Sequence, residues 1–326
     1  DGGGQVPGIT EMGNPLVELI ETCQGELRAQ ARALRSTGLS QTEIARKMGV
    51  PQQTISDWLK QQITESRYEP PLTEKRLSNS LPPRYLVVRG SVEKFRPPEG
   101  VAFPLVIADP PWNISDPGHK RERKARPNRP FTKDFGAWDT FKSDRAYLAK
   151  CRQWLKALYD VAAPDAWLFF WCSYLYASGI LGEAERVGWR RHTFYAWHKV
   201  NPLPMFGNNN FLQSMEMALV LAKGKPQFGW GHKKGQPHNY FESPQVGGGE
   251  RVKNHDGAAT NLAQKPLSLT SLWIEWGSRP GDWVLDAFAG TGTVTVAALA
   301  LGRNACAVEQ DPALAHQIEA RVLSLG

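Results

Sequence analysis

Asp109-Pro110-Pro111-Trp112 follows the apolar run Leu105–Ala108, so a strand delivers a carboxylate, two prolines and an indole at its end. Open α/β sheets place their ligands at that edge. The prolines stiffen the turn and remove two backbone donors, which leaves carbonyls free to accept. An Asp carboxylate and a nearby carbonyl make a pair of acceptors for an NH2 group, and Trp112 offers a flat face for stacking a base. This suits a nucleophile that needs help. The exocyclic amine of adenine or cytosine has its lone pair delocalised into the ring. Two acceptors gripping its hydrogens favour a pyramidal nitrogen aimed at an electrophile, by positioning and electrostatics alone. The plain alternative for Asp-Pro-Pro is a turn.

A second constellation runs from Pro280 to Thr293. The strand Trp283–Leu285 leads through Asp286, Ala287 and Phe288 into the turn Ala289-Gly290-Thr291-Gly292, and a helix follows over Val294–Leu301. Glycines at such a turn let backbone approach a ligand closely. Glu309 closes the next predicted strand, where an acidic side chain can bond a ribose. The turn matches neither the GxGxxG dinucleotide fingerprint nor the P-loop. A nucleoside cofactor without a pyrophosphate fits better than NAD or ATP.

Taken together, Asp109–Trp112 resembles the catalytic motif of amino-methyltransferases, and Asp286–Thr293 resembles their Phe-x-Gly-x-Gly cofactor motif. Gln264-Lys265-Pro266 is similar to the segment that precedes it, although Asn261-Leu262-Ala263 stands where many relatives have His-Pro-Thr. Trp197–Pro202 and Glu216 within Met215–Leu221 look like intermediate motifs. With the catalytic motif first and the cofactor motif last, the order resembles the permuted beta class of DNA adenine-N6 and cytosine-N4 methyltransferases, over about residues 84–323. The resemblance implies S-adenosyl-L-methionine as cofactor, lined by Asp286, Phe288, Ala289, Gly290, Thr291 and Gly292, with Lys265 nearby and Glu309 on the ribose. It implies that Asp109 and the Pro110 carbonyl hold the target amine, with Pro111 and Trp112 completing the catalytic set. Asp at the first motif position favours adenine. Cytosine-N4 methylation, RNA adenosine methylation, and a DNA-binding regulator with an inactive methyltransferase domain stay as alternatives. Relatives are often dimers, so a homodimer is compatible.

The elements that must position these residues read as short apolar runs alternating with helix-like stretches. Leu105–Ala108, Trp167–Trp171, Thr193–Trp197, Ala218–Ala222, Trp283–Leu285 and Ala305–Val308 are expected strands. Strands separated by helices imply a mostly parallel, Rossmann-like sheet with both faces covered. Residues 84–326 form that α/β domain, with residues 224–261 as a candidate target-recognition insert. Residues 64–83, with two Pro-Pro pairs, read as a linker.

Residues 14–63 read as a small all-α helix-turn-helix domain. Ser40-Gln41-Thr42-Glu43 is a capping box, and Ile44, Ala45 and Met48 give the short helix its buried face. Gly49 turns, and Pro51 starts a second helix. Its outward residues Gln52, Gln53, Thr54, Ser56 and Lys60 are candidate DNA contacts. A helical dimerisation module is the alternative. A basic stretch after the catalytic motif carries Lys120, Arg121, Arg123, Lys124, Arg126 and Arg129, suited to phosphates; the alternative is a solvated charged loop.

The formal charge of +7 agrees with a polyanion partner. Cys23, Cys151, Cys172 and Cys306 are scattered without metal-ligand spacing, so neither a metal site nor a disulfide framework is expected. No apolar run approaches the ~18–20 residues of a membrane span. A cytoplasmic location is the expectation, and the Gly-rich start lacks a secretory profile.

Overall fold

Why the first helix begins where it does is visible in its cap. In the computed structural model, which describes residues 35, 39–48, 83–115, 137–202, 211–229, 237–247, 250–252 and 263–324, α1 spans Gln41–Met48. The Glu43 carboxylate accepts from the Ser40 N–H at 2.8 Å, and Ser40 Oγ accepts from the Glu43 N–H at 3.2 Å. This is the reciprocal box that satisfies two orphan amides. Ile44 is fully buried, with Ala45 and Met48 half-buried beside it. Gln52, Gln53, Thr54, Ser56 and Lys60 lie outside the described residues. Contacts divide the chain into one unit over residues 1–80 and another over 81–324.

In the second unit the order is β1 (Tyr85–Arg89), β2 (Phe103–Ala108), α2 (Asp144–Val161), β3 (Ala162–Cys172), α3 (Ala177–Val187), β4 (Arg190–Lys199), β5 (Met215–Lys223), β6 (Tyr240–Ser243), α4 (Leu267–Gly277), β7 (Trp283–Asp286), α5 (Thr293–Ala300), β8 (Asn304–Glu309) and α6 (Pro312–Leu323). The strands form one sheet in the order β1-β8-β7-β2-β3-β5-β4-β6. All neighbours are parallel except at β5, which runs antiparallel to both β3 and β4.

The apolar runs are continuous because both faces are covered. Val106, Ala108, Leu168 and Phe170 point to one side, packed under Cys151, Leu155 and Leu158 of α2 and Ile180 of α3. Leu105, Ile107, Phe169 and Trp171 point to the other, under Trp273 and Ile274 of α4 and Ala297 and Ala298 of α5. Trp154, Trp167, Trp171 and Trp273 are all buried. Two strands escaped the sequence reading, β1 and β6. Each is short and sits at an edge of the sheet, so neither has the buried apolar run that marks the central strands. No helix among the described residues is long and apolar enough to cross a membrane.

Strand order decides where chemistry gathers. From β2 the chain proceeds to β3 on one side, and from β7 to β8 on the other. The adjacent ends of β2 and β7 are therefore a topological switch point, where such sheets open a crevice.

Candidate active site

Asp109 leaves the sheet immediately after β2, and Asp286 ends β7, whose register pairs it with Ile107. Glu309 ends β8 on the other side of β7. Because β5 is reversed, its first residues reach the same edge, and Glu216 lies opposite Trp197, near the end of β4. Acidic side chains from four strands or strand ends thus converge on one side of the sheet.

Neither oxygen of Asp109 is idle. Oδ1 accepts from Trp112 Nε1 at 3.0 Å, and Oδ2 is 2.8 Å from Lys265 Nζ. That ammonium lies 3.3 Å from Glu216 Oε2, and Glu216 Oε1 accepts from Lys199 Nζ at 3.1 Å. Lys265 Nζ also sits 4.8 Å and 4.9 Å from the ring centroids of Trp112 and Trp171, within cation–π range. Burial pushes the Asp109 carboxyl above its ordinary range, against the pull of Lys265. Lys265 is held above the ordinary lysine value, because Asp109 and Glu216 outweigh the cost of its burial. Glu216 is held below its ordinary value by Lys265 and Lys199, again against burial.

The loop after β2 is fixed from below by a residue that carries no motif in the sequence. Asp139, 1% exposed, accepts four consecutive backbone N–H groups: Trp112 (2.6 Å) and Asn113 (2.9 Å) on Oδ1, Ile114 (3.0 Å) and Ser115 (2.8 Å) on Oδ2. Asn113 takes a left-handed φ of 56°, its Oδ1 accepting from the Phe141 N–H and its amide donating to Tyr176 Oη. Tyr147 Oη donates to the Pro111 carbonyl at 2.9 Å, which leaves the Pro110 carbonyl as the uncommitted one of the pair among the described contacts. Nothing in the local pattern around Asp139 flags it in sequence. Its partners are 24 to 27 residues away.

At the second constellation, the Glu309 carboxylate accepts from the Gly290 N–H at 2.7 Å and the Asp311 N–H at 2.8 Å, so it holds the glycine turn to the neighbouring strand end. Burial raises it above the usual carboxylate range. Asp286 is pushed up to about 7, chiefly by burial, although Thr295 donates to its Oδ2 from both backbone and side chain. The Phe288 ring meets the Trp154 indole edge-on at 5.4 Å. Gly290 and Gly292 both have positive φ, at 51° and 76°. A Cβ on Gly292 would come within 3.0 Å of the Ile318 side chain, so this glycine serves close packing against α6.

Asp109 through Trp112, Lys265, Asp286 through Thr291 and Glu309 all border one cavity of about 2400 Å³. Gly292 lies behind that wall. Lys265, anticipated near the cofactor motif, borders this same cavity and stands against Asp109. Glu216 and Lys199, which fell in the intermediate motifs without an assigned role, and Thr293, at the end of the cofactor motif, border the same cavity. Lys120, Arg121, Arg123, Lys124, Arg126 and Arg129 fall outside the described residues, as does much of 224–261.

A family model described as DNA methylase matches residues 103–320, and one described as a homeodomain-like domain matches residues 25–71. The chain is similar to the type II methyltransferase M.HinfI of Haemophilus influenzae, at 29% identity over 231 residues, 68% of this chain and 63% of that protein. It therefore spans less than two thirds of that relative's length. It is also similar to the type II methyltransferase M2.DpnII of Streptococcus pneumoniae, at 25% identity over 219 residues, 64% of this chain and 77% of that one. Among solved structures, the M1.HpyAVI–SAM complex matches with a TM-score of 0.55 at 21% identity, covering 73% of this chain and 98% of that one. The cytosine-N4-specific PvuII DNA methyltransferase matches at 0.52 and 16%, covering 75% and 93%. At such identities these two likenesses concern the fold.

Proposed function

The chain belongs to the DNA methylase family, and we propose that it transfers a methyl group from S-adenosylmethionine to the N6 amine of an adenine in DNA. The observation that carries this reading is the meeting of its two motifs. Asp109 and Asp286 leave neighbouring parallel strands and face one cavity. That cavity exceeds the ~300–1,000 Å³ of a typical small-ligand site, which leaves room for a cofactor beside a base.

The residues fit such a cofactor. Thr293 and Glu93 border the cavity, and Thr293 Oγ1 is buried without a hydrogen-bond partner among the described residues. Asp286 and Glu309 add two nearly buried carboxylates. A ligand with hydroxyls and an ammonium group answers these groups. Asp286, Phe288, Ala289, Gly290 and Thr291 would hold it, with Glu309 on its ribose. When bound, it supplies a sulfonium-activated methyl group as the electrophile.

The rest is the work of this chain. Asp109 and the Pro110 carbonyl accept the two amine hydrogens and turn the nitrogen lone pair forward. Asp109, with its carboxyl raised by burial, can take the proton that the nitrogen must shed. Lys265 covers one face of Trp112, so a base stacks on the other. A base reaches this depth only after extrusion from the duplex, at a cost of a few kcal/mol. Contacts from Gln52, Gln53, Thr54, Ser56 and Lys60 of the homeodomain-like region, and from the basic stretch Lys120–Arg129, offset that cost. Asp at the first motif position favours adenine over cytosine.

Methyl transfer from labelled S-adenosylmethionine to mixed-sequence DNA, followed by nucleoside digestion, tests the reading. N6-methyladenine is the expected product. It should be lost in Asp109→Ala while the cofactor Kd stays within about twofold, because Asp109 is assigned to the base. N4-methylcytosine would overturn the choice of base. Failure to bind the cofactor at all would overturn the enzyme reading.

A further inference from the structure

We infer that Glu216, backed by Lys199, is a positioning residue for the proposed transfer: it draws the Lys265 ammonium partly away from Asp109, so that the Asp109 carboxylate remains an effective acceptor for a neutral amine. The role rests on the methyltransferase reading above, but the arrangement itself does not.

Four charged side chains alternate in sign along the edge of the sheet: Asp109, Lys265, Glu216 and Lys199. The successive contacts are 2.8, 3.3 and 3.1 Å. They come from four places in the chain, the loop after β2, the residue before the cap of α4, the start of β5 and the end of β4. Lys265 and Lys199 are each 8% exposed. Asp109 and Glu216 are part-buried beside them. Withdrawing four charges from water is costly unless they compensate one another, and two of each sign do so.

Their order matters beyond neutrality. A single ammonium against a single carboxylate in a dry site forms a closed ion pair, in which the acceptor is committed to the cation. An incoming NH2 group, being neutral, competes poorly for it. A second carboxylate on the far side of Lys265 divides the attraction. Lys199 keeps Glu216 ionised for that task. The Trp112 and Trp171 rings flank the ammonium and hold it between its two carboxylates. Trp112 Nε1 fixes the other oxygen of Asp109, so that the acceptor is both oriented and only partly quenched.

The charge on Asp109 is sensed by Lys265 ahead of α4, Glu216 on β5, Asp286 on β7 and Cys172 on β3. Removing either Glu216 or Lys265 alters its ionisation with opposite sign. Without the Glu216 charge, Asp109 should ionise at lower pH. Without the Lys265 charge, it should ionise at higher pH.

The test is the pH dependence of kcat for methyl transfer in Glu216→Gln, Lys265→Met and Lys199→Met, with the cofactor Kd measured alongside. In Glu216→Gln the acid limb should move down by about half to one pH unit while plateau kcat falls about tenfold. In Lys265→Met the limb should move up; in Lys199→Met, where Glu216 loses the charge that keeps it ionised, it should move down, by less than in Glu216→Gln. Cofactor Kd should stay within about twofold in Glu216→Gln. Wild-type kcat in Glu216→Gln, equal losses at every pH, or limbs that move in the same direction for Glu216→Gln and Lys265→Met would overturn the proposal. Should the wild-type protein transfer no methyl group, the function reading fails separately. The carboxyl carbon of Asp109, followed by NMR titration, still reads the coupling: opposite displacements in the two variants uphold it, and no displacement overturns it. If Glu216→Gln fails to fold, Lys199→Met carries the same comparison against Lys265→Met.

Discussion

Asp286 carries an unusual burden for a carboxylate. It is 4% exposed, and burial holds its folded-state pKa at about 7, against an ordinary value of 3.8. Between those two values the unfolded chain has released the proton and the folded chain retains it. Stability therefore falls as pH rises from about 4 to about 7, and this contribution is flat above. Asn in its place keeps an acceptor for the two Thr295 donors and removes the buried charge. Asp286→Asn should thus melt a few degrees higher than wild type at pH 8, with the gap closing as pH falls towards 4. Thermal scans across that range check it, and a gap that widens on acidification would refute it. The same variant should bind S-adenosylmethionine less tightly, since the ionised carboxylate is the partner proposed for its ammonium group. Stability and binding pull in opposite directions here, as is common for groups kept for function.

At the scale of elements, the loop proposed to be catalytic is held by a helix-forming segment and not by the strand that delivers it. One buried carboxylate, Asp139, collects the N–H groups of residues 112 to 115, and the Tyr147 hydroxyl on α2 takes the Pro111 carbonyl. The loop is therefore anchored to the layer containing α2, while Asp109 is anchored through Lys265 to the segment entering α4. Relative placement of acceptor and stacking ring depends on both. Asp139→Ala leaves four amides without their acceptor and lets the loop relax. A misplacement of ~1 Å at a reacting group can cost about 100-fold. We expect a kcat loss of that order with cofactor Kd within about twofold, since the glycine turn is tied down independently by Glu309. Steady-state kinetics with cofactor calorimetry decides the matter: equal losses in both would mean that Asp139 merely supports the fold.

For the whole molecule, the unit over 81–324 contains the entire described cavity, and residues 1–80 form a separate contact unit. The homeodomain-like match at 25–71 lies within the latter. If that region supplies DNA affinity, its removal should cost binding without touching chemistry. A chain lacking residues 1–80 should bind duplex DNA at least about tenfold more weakly, with a shallower salt dependence as phosphate contacts are lost, and retain its cofactor Kd. Full DNA affinity in the truncated chain would assign the region another task.

Much of this was legible before any fold was known, and for physical reasons. Central strands carry continuous apolar runs because two helical layers bury them, so Leu105–Ala108, Trp167–Trp171 and Ala218–Ala222 announced themselves. The capping box at Ser40–Glu43 is a local contract between residues three apart. Asp109–Trp112 and Asp286–Thr293 are compact motifs whose chemistry resides in contiguous residues, and by itself the chain determined the family, the two motifs and their order. The edge strands β1 and β6 were invisible because pairing, not burial pattern, makes them strands. What only the tertiary structure decided is which distant side chains share a site. Reversal of β5 brings Glu216 to the catalytic edge, Lys265 lodges against Asp109 across more than 150 residues of sequence, and Asp139 closes under a loop it follows. Charge pairs and carboxylate clamps of this kind have no sequence period. Their partners are set by strand order and burial, and those exist only once the sheet has formed.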